Sequence, residues 1–149
     1  MNLKITTLVK APFNKVKNGF DEKLFKQLNP PFPPVKLLRF DGSSKGDLVS
    51  LQLNFIFFKQ NWTSKITEDQ DGEKQFYFID QGVELPFFLK QWRHKHIINN
   101  LEHGKAAEII DDIYFRTPVR LFDFMMYPLL WLQFMYRKPV YKKYFDKMK

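Results

Sequence analysis

Two-residue alternation of apolar and polar side chains dominates the chain, and one long segment breaks it. "MNLKITTLV" sets Leu3, Ile5, Thr7 and Val9 on one side, the signature of a half-buried strand. "APFNKVKNGF" and "DEKLFKQL" follow as two short helices, the first opened by Pro12, the second capped by Asp21 with Leu24, Phe25 and Leu28 at helical spacing. "NPPFPP", with four prolines in six residues, is a rigid extended connection. Strands resume at "VKLLRF", and the Gly/Ser-rich "DGSSKGD" turns the chain. In "LVSLQLNFIFF", Val49, Leu51, Leu53, Phe55 and Phe57 alternate with Ser50, Gln52 and Asn54, as in an antiparallel strand with one wet face. "NWTSKITE" and "KQFYFID" flank a hairpin turn expected at "DQDG".

A strand over Leu89 to Leu101 then turns through "EHGK" into "AAEIIDDIYFRT". With that turn centred on His103 and Gly104, residues 102 and 105 face each other. His96 then stands opposite Asp111, Ile98 opposite Ile109 and Trp92 opposite Phe115. One face gathers Trp92, His94, His96 and Ile98 with Ile109, Asp111, Ile113 and Phe115, so two histidines and a carboxylate share an otherwise apolar surface. From Pro118 onwards alternation ceases, and the segment reads as one long helix, bent near Pro128 and Pro139.

Composition sharpens this picture. A chain of 149 residues fits a single domain, 1–149. Aromatic residues make up 17% of it, 17 of them Phe, more than an ordinary core of this size needs, so something large and apolar is lined or covered. The absence of cysteine excludes disulfides and thiolate metal sites. The N-terminal residues lack the apolar region of a secretory signal, which places the protein in the cytoplasm. Net charge is +8, and eight of the 24 basic residues fall between Arg116 and Lys149, against Asp123 and Asp146. No nucleic-acid-binding motif accompanies them, so a solvated basic helix end is expected rather than a nucleic-acid partner.

The quoted segments also resemble a known family. "FID" followed by "LPFFLKQWRHKH", then "DDIYFRTP", and "LNPPF" after the second helix, are similar to motifs of the START-like (SRPBCC) superfamily, in particular its small bacterial ligand-binding proteins. Leu85 stands where that family usually has Gly, and Phe115 where it has Tyr. The resemblance spans nearly the whole chain and implies an α+β helix-grip fold: a curved antiparallel sheet wrapped around a long C-terminal helix, with two short helices after the first strand. It further implies a cavity between sheet and helix that takes an apolar small molecule such as a lipid, sterol or polyketide, without a cofactor.

Combined with the alternation, this gives a cavity wall of Phe55, Phe57, Trp62, Phe78, Trp92, Ile113, Phe115, Phe122, Met126 and Leu129, with His94, His96 and Asp111 as its polar spot. The cluster has three readings: a buried hydrogen-bond network that holds the hairpin in register, an anchor for a ligand's head group, or catalytic machinery. In the last, Asp111 orients His96 as a general base for a cyclase- or hydrolase-type reaction, or the three side chains ligate a divalent cation. No nucleophile signature or third histidine stands beside them, and no resident metal is expected. Between Leu121 and Tyr136 the final helix is apolar all round, although gripping a sheet takes one apolar face. Its outer face must meet a second copy of the chain, lie on a membrane surface beside Arg137 and Lys138, or be covered by the chain itself.

Overall fold

The computed structural model describes residues 1–148; Lys149, counted above in the basic tail, lies outside them. The elements in chain order are β1 (Asn2–Val9), α1 (Phe13–Asn18), α2 (Glu22–Leu28), β2 (Val35–Phe40), β3 (Leu48–Phe55), β4 (Phe58–Asp71), β5 (Gln75–Glu84), β6 (Gln91–Leu101), β7 (Ala106–Arg116) and α3 (Leu121–Asp146). All seven strands form one antiparallel sheet in the order β1-β7-β6-β5-β4-β3-β2. The first strand therefore pairs with the last, and the two short helices carry the chain from one edge of the sheet to the other. The sheet grips α3, as the family resemblance implies.

Local chemistry explains the boundaries. Asp21 caps α2 by accepting from the Leu24 amide at 2.9 Å. At Gly19, which ends α1, a Cβ would lie 2.7 Å from Cε1 of Phe145, so only glycine lets helix and ring approach so closely. The turn into α3 is pinned by buried Asp123, which accepts from the Thr117 amide at 2.6 Å and the Thr117 hydroxyl at 2.7 Å. Between β6 and β7, Glu102, His103 and Gly104 all adopt positive φ, and the ladder runs from Leu101 opposite Ala106 down to Gln91 opposite Arg116. His96 pairs with Asp111, Ile98 with Ile109 and Trp92 with Phe115, the register expected from the turn.

Several boundaries differ from the sequence reading. β3 stops at Phe55, because Phe55 pairs with Phe58 across a two-residue turn, Ile56–Phe57. The turn expected at "DQDG" sits further along, at Gly72 to Lys74, since Asp69 to Asp71 extend β4 against Phe76 to Phe78. α3 starts at Leu121 rather than Pro118 and runs through Pro128 and Pro139 without interruption. Among the described residues no helix is long and apolar enough to cross a membrane.

Two apolar clusters hold the fold together. One joins α1, α2 and the C-terminal half of α3 to the sheet through Phe13, Val16, Leu24, Ile98, Ile109, Tyr141 and Phe145. The other gathers Leu3, Ile5, Trp92, Ile113, Phe115, Leu130 and Phe134. Leu129, by contrast, is 55% exposed. Truncating Phe145 to Ala should therefore cost about 3–5 kcal/mol, and Leu129 to Ala less than about 1 kcal/mol, read as the shift in urea denaturation.

Candidate ligand cavity and its polar wall

Between the two clusters a polar belt crosses the inner face of the sheet. On β1 it is Thr7, between Ile5 and Val9; on β4, Ser64, between Trp62 and Ile66; on β7, Asp111, between Ile109 and Ile113. β6 contributes both His94 and His96, between Trp92 and Ile98, and α3 adds Arg137 between Phe134 and Tyr141. Asp80 completes it from β5, facing the same side as Phe78.

The bonds within the belt are diagonal. In register, Asp80 stands opposite His94 and His96 opposite Asp111, yet His96 Nε2 donates to Asp80 Oδ2 at 2.7 Å and His94 Nε2 donates to Asp111 Oδ1 at 2.9 Å. Imidazoles are long enough to reach a neighbour two residues along the adjacent strand, and with a carboxylate on each side of β6 each ring takes a different one. Of the two partners that register puts within reach of Asp111, His96 opposite and His94 on the diagonal, His94 makes the bond, and His96 Nδ1 lies 3.9 Å from Asp111 Oδ1. Asp80 also accepts from Trp92 Nε1 at 3.0 Å, and Arg137 Nη1 lies 3.7 Å from Asp111 Oδ1 with its guanidinium over the Phe134 ring. Phe78 stacks on His96 with ring centres 4.2 Å apart.

Charge states follow from these contacts. Burial pushes His96 down, aided by repulsion from His94, and this outweighs the pull of Asp80 and Asp111, leaving its pKa at about 4. Burial would raise both carboxylates, but His96, His94 and Trp92 at Asp80, and His94 and Arg137 at Asp111, hold them below their ordinary value. At neutral pH both aspartates are ionised and His96 is neutral, with its proton on Nε2 towards Asp80. Its Nδ1 lone pair and Asp111 Oδ2 are buried without a hydrogen-bond partner among the described residues. Burial also raises the Tyr141 phenol, which donates to Asp111 at 3.4 Å and so stays protonated.

An open cavity of about 530 Å³ lies over the β4–β6 part of this belt, lined by residues of both clusters. Of the expected wall, Phe55, Trp62, Phe78, Trp92, Met126 and Leu129 line it, together with His94 and His96. Asp111 does not: it sits behind His94, 1% exposed. Ile113 and Phe115 face inward but are fully buried in the packed cluster under β1, β7 and α3, so the cavity is displaced towards β2–β5. Phe57, 93% exposed, is on the tip of the β3–β4 turn, where the chain reverses and alternation no longer governs direction. Phe122 shares the face of α3 that carries Met126 and Leu129, but one turn nearer the start of the helix it stands beyond the lining, 47% exposed. Lining residues that alternation missed include Asp80, Phe88, Gln133, Phe134 and Arg137. Gln133 and Arg137, four apart on α3, share its cavity face. A β5–β6 register read as the β6–β7 register was would have revealed Asp80, but the connection from Leu85 to Lys90 is too long to set one.

The His96–Asp111 dyad required for general-base catalysis is therefore replaced by His96–Asp80. Asp80, His94 and His96 do bring one ligand atom each within 4.8 Å of one another. The imidazoles overlap with centres 3.6 Å apart and planes tilted by 32°, and the nitrogens on this side, His96 Nε2 at 2.7 Å and His94 Nδ1 at 3.5 Å, are turned to Asp80 Oδ2 itself.

No protein-family model and no curated protein matches the chain. Solved structures do. A START superfamily protein from Mycobacterium smegmatis aligns at 12% identity over 99% of each chain, with a TM-score of 0.68. Norcoclaurine synthase from Thalictrum flavum, solved with dopamine and hydroxybenzaldehyde, aligns at 11% identity over 100% of this chain and 88% of its own, with a TM-score of 0.69. The Zhui aromatase/cyclase from Streptomyces sp. R1128 aligns at 15% identity over 95% of this chain and 90% of its own, with a TM-score of 0.63. The chain has the START-like, helix-grip fold, the one its sequence motifs resemble.

Two measurements test the belt. Unfolded, His96 takes up a proton near its ordinary pKa of 6.5; folded, it refuses one until about pH 4. Stability should therefore fall as pH drops through that window, and fall further at lower pH as Asp80 and Asp111 are forced to protonate. Urea denaturation at stepped pH should show His96→Gln removing up to roughly 3 kcal/mol of the loss in the upper window. In double-mutant cycles, His94→Gln with Asp111→Asn and His96→Gln with Asp80→Asn should each couple by about 1 kcal/mol or more, and His96→Gln with Asp111→Asn by less.

Proposed function

We propose that this chain acts as a single ligand-binding domain that holds one small hydrophobic molecule between its sheet and α3. The observation that carries the reading is the open cavity of about 530 Å³, within the range of ligand pockets, walled by apolar side chains with titratable groups on one wall. A solid core would have closed over the same strands, as it does under β1 and β7. The apolar body of the ligand lies along Leu51, Leu53, Phe55 and Trp62, and Gln133 and Arg137 offer N–H donors to an oxygen at its polar end, a carboxylate or carbonyl. The His94–His96 wall sets the orientation. Binding is favoured over catalysis, because Nδ1, the one His96 nitrogen free to accept a proton, is itself buried, and Asp111 is out of reach of a ligand.

Titration with an apolar fluorescent dye and with a medium-chain fatty acid should give one site per chain. Leu51→Trp, which adds volume inside the cavity, should weaken both by at least about tenfold while leaving the urea midpoint nearly unchanged. Heatless titrations with every apolar ligand would overturn the proposal.

A further inference from the structure

One end of the molecule collects the β3–β4 turn, the β5–β6 loop, the end of the α2–β2 connection and the first turns of α3, because Val35 pairs with Leu53, Phe55 with Phe58, and Gln91 with Arg116. Apolar side chains project from each of these segments. Phe57 is 93% exposed, Ile56 81% and Phe87 65%, and Phe32, Leu121 and Phe124 are also more than half exposed. Two-residue hairpin turns normally carry Gly, Asn or Asp, so "FIFF" across a tight turn breaks the local rule without any packing gain.

Two further features specify what this end meets. The exposed charges beside it are Lys59, Lys90 and Arg120, with half-buried Arg116, against exposed Glu84; Asp123 is buried under Thr117. At the opposite end, where the β2–β3, β4–β5 and β6–β7 connections lie, acids are mixed with cations: Asp41, Asp47, Asp71, Glu73 and Glu102 stand with Lys45, Lys74 and Lys105. The apolar tips are also continuous with the cavity rim. Phe32, Leu129 and Leu132 line the cavity while more than half exposed, and ring contacts run from Phe32 to Phe55 (6.5 Å), Phe55 to Phe58 (5.0 Å) and Phe58 to Phe87 (5.9 Å).

We propose that this end docks on an anionic phospholipid surface, with Ile56, Phe57 and Phe87 inserted among the acyl chains and Lys59, Lys90, Arg116 and Arg120 at the headgroups. Aromatic and aliphatic tips ringed by cations suit that boundary. A symmetric dimer through the same patch would bring two sets of like charges together. This differs from a contact along Trp131 to Lys138 on the middle of α3, because the tips stand at the end of the sheet where α3 begins. The docking stands on this surface alone. That the ligand passes between bilayer and cavity rests on the binding function proposed above.

The test is co-sedimentation of the full chain with vesicles of phosphatidylcholine alone and of phosphatidylcholine with phosphatidylserine, at low and high salt. Binding should require phosphatidylserine and weaken with salt. Phe57→Ser with Phe87→Ser should reduce it at least about tenfold, without altering dye binding in solution or the urea midpoint. Lys142→Glu with Lys143→Glu, at the far end of α3, should leave it unchanged. Absence of vesicle binding, indifference to the Phe substitutions, or loss on the Lys142 and Lys143 changes overturns the proposal. A dimer seen by analytical ultracentrifugation and split by the Phe substitutions overturns it too, because the patch would then belong to a second copy. Dye binding in solution reports on the cavity separately, so its failure would remove the ligand reading and leave the docking to the vesicles.

Discussion

Two ionised carboxylates inside one antiparallel sheet are the constraint on which the remainder of the structure depends. Stripping water from a carboxylate costs several kcal/mol unless charge and hydrogen bonds replace it. Asp80 and Asp111 meet that requirement only when β5, β6 and β7 stand in a single register, with His94 and His96 between them and the α3 residues Arg137 and Tyr141 turned onto Asp111. A slip of one residue anywhere in these strands would turn the histidines to the other face and leave both charges buried alone. The belt therefore penalises every neighbouring arrangement more than it stabilises this one.

The interior is also divided across the strands, by how far α3 covers the sheet. On the β1 and β7 side, α3 packs directly on the sheet and Ile113 and Phe115 are fully buried. On the β2 to β5 side the helix no longer covers the strands, and Leu51, Leu53, Phe55 and Trp62 face open volume. The surplus of phenylalanine noted in the composition is divided between this lining and the exposed tips around Phe57 and Phe87. The cavity thus lies where packing stops, with the polar groups at the boundary. A ligand there would meet apolar walls along most of its length and N–H donors at one end. Phe32 belongs both to the cavity lining and to the membrane-facing tips proposed here, so ligand and docking surface meet at that ring.

The candidate site was legible wherever sequence distance is short. His94 and His96 are two residues apart, and a short turn ties them to Asp111, so counting alone placed the three on one face in the register observed. Asp80 escaped because its partner strand arrives through a longer connection, and Arg137 because the stretch before it, Leu121 to Tyr136, is apolar all round and so does not say which side of α3 faces the sheet. Phe57 was misplaced by extending alternation one step past the point where the chain turns. The choice of diagonal over direct partners for the two histidines also lay beyond counting, since register says which side chains are near and side-chain reach decides which ones bond.

Periodicity, helix caps and turn residues act over a few positions, and they were enough to determine the seven strands, three helices and the β6–β7 register from the amino-acid order. The quoted motifs resembled one superfamily, and the arrangement of the elements agreed with that fold. Tertiary structure alone decided which inward-facing residues meet a solid core and which meet a cavity, because that depends on where α3 and α2 come to rest above the sheet. It also decided that Asp80 completes the belt and that apolar turns from distant parts of the chain converge on one end. Those are sums of contacts between segments tens of residues apart, and no local pattern carries them.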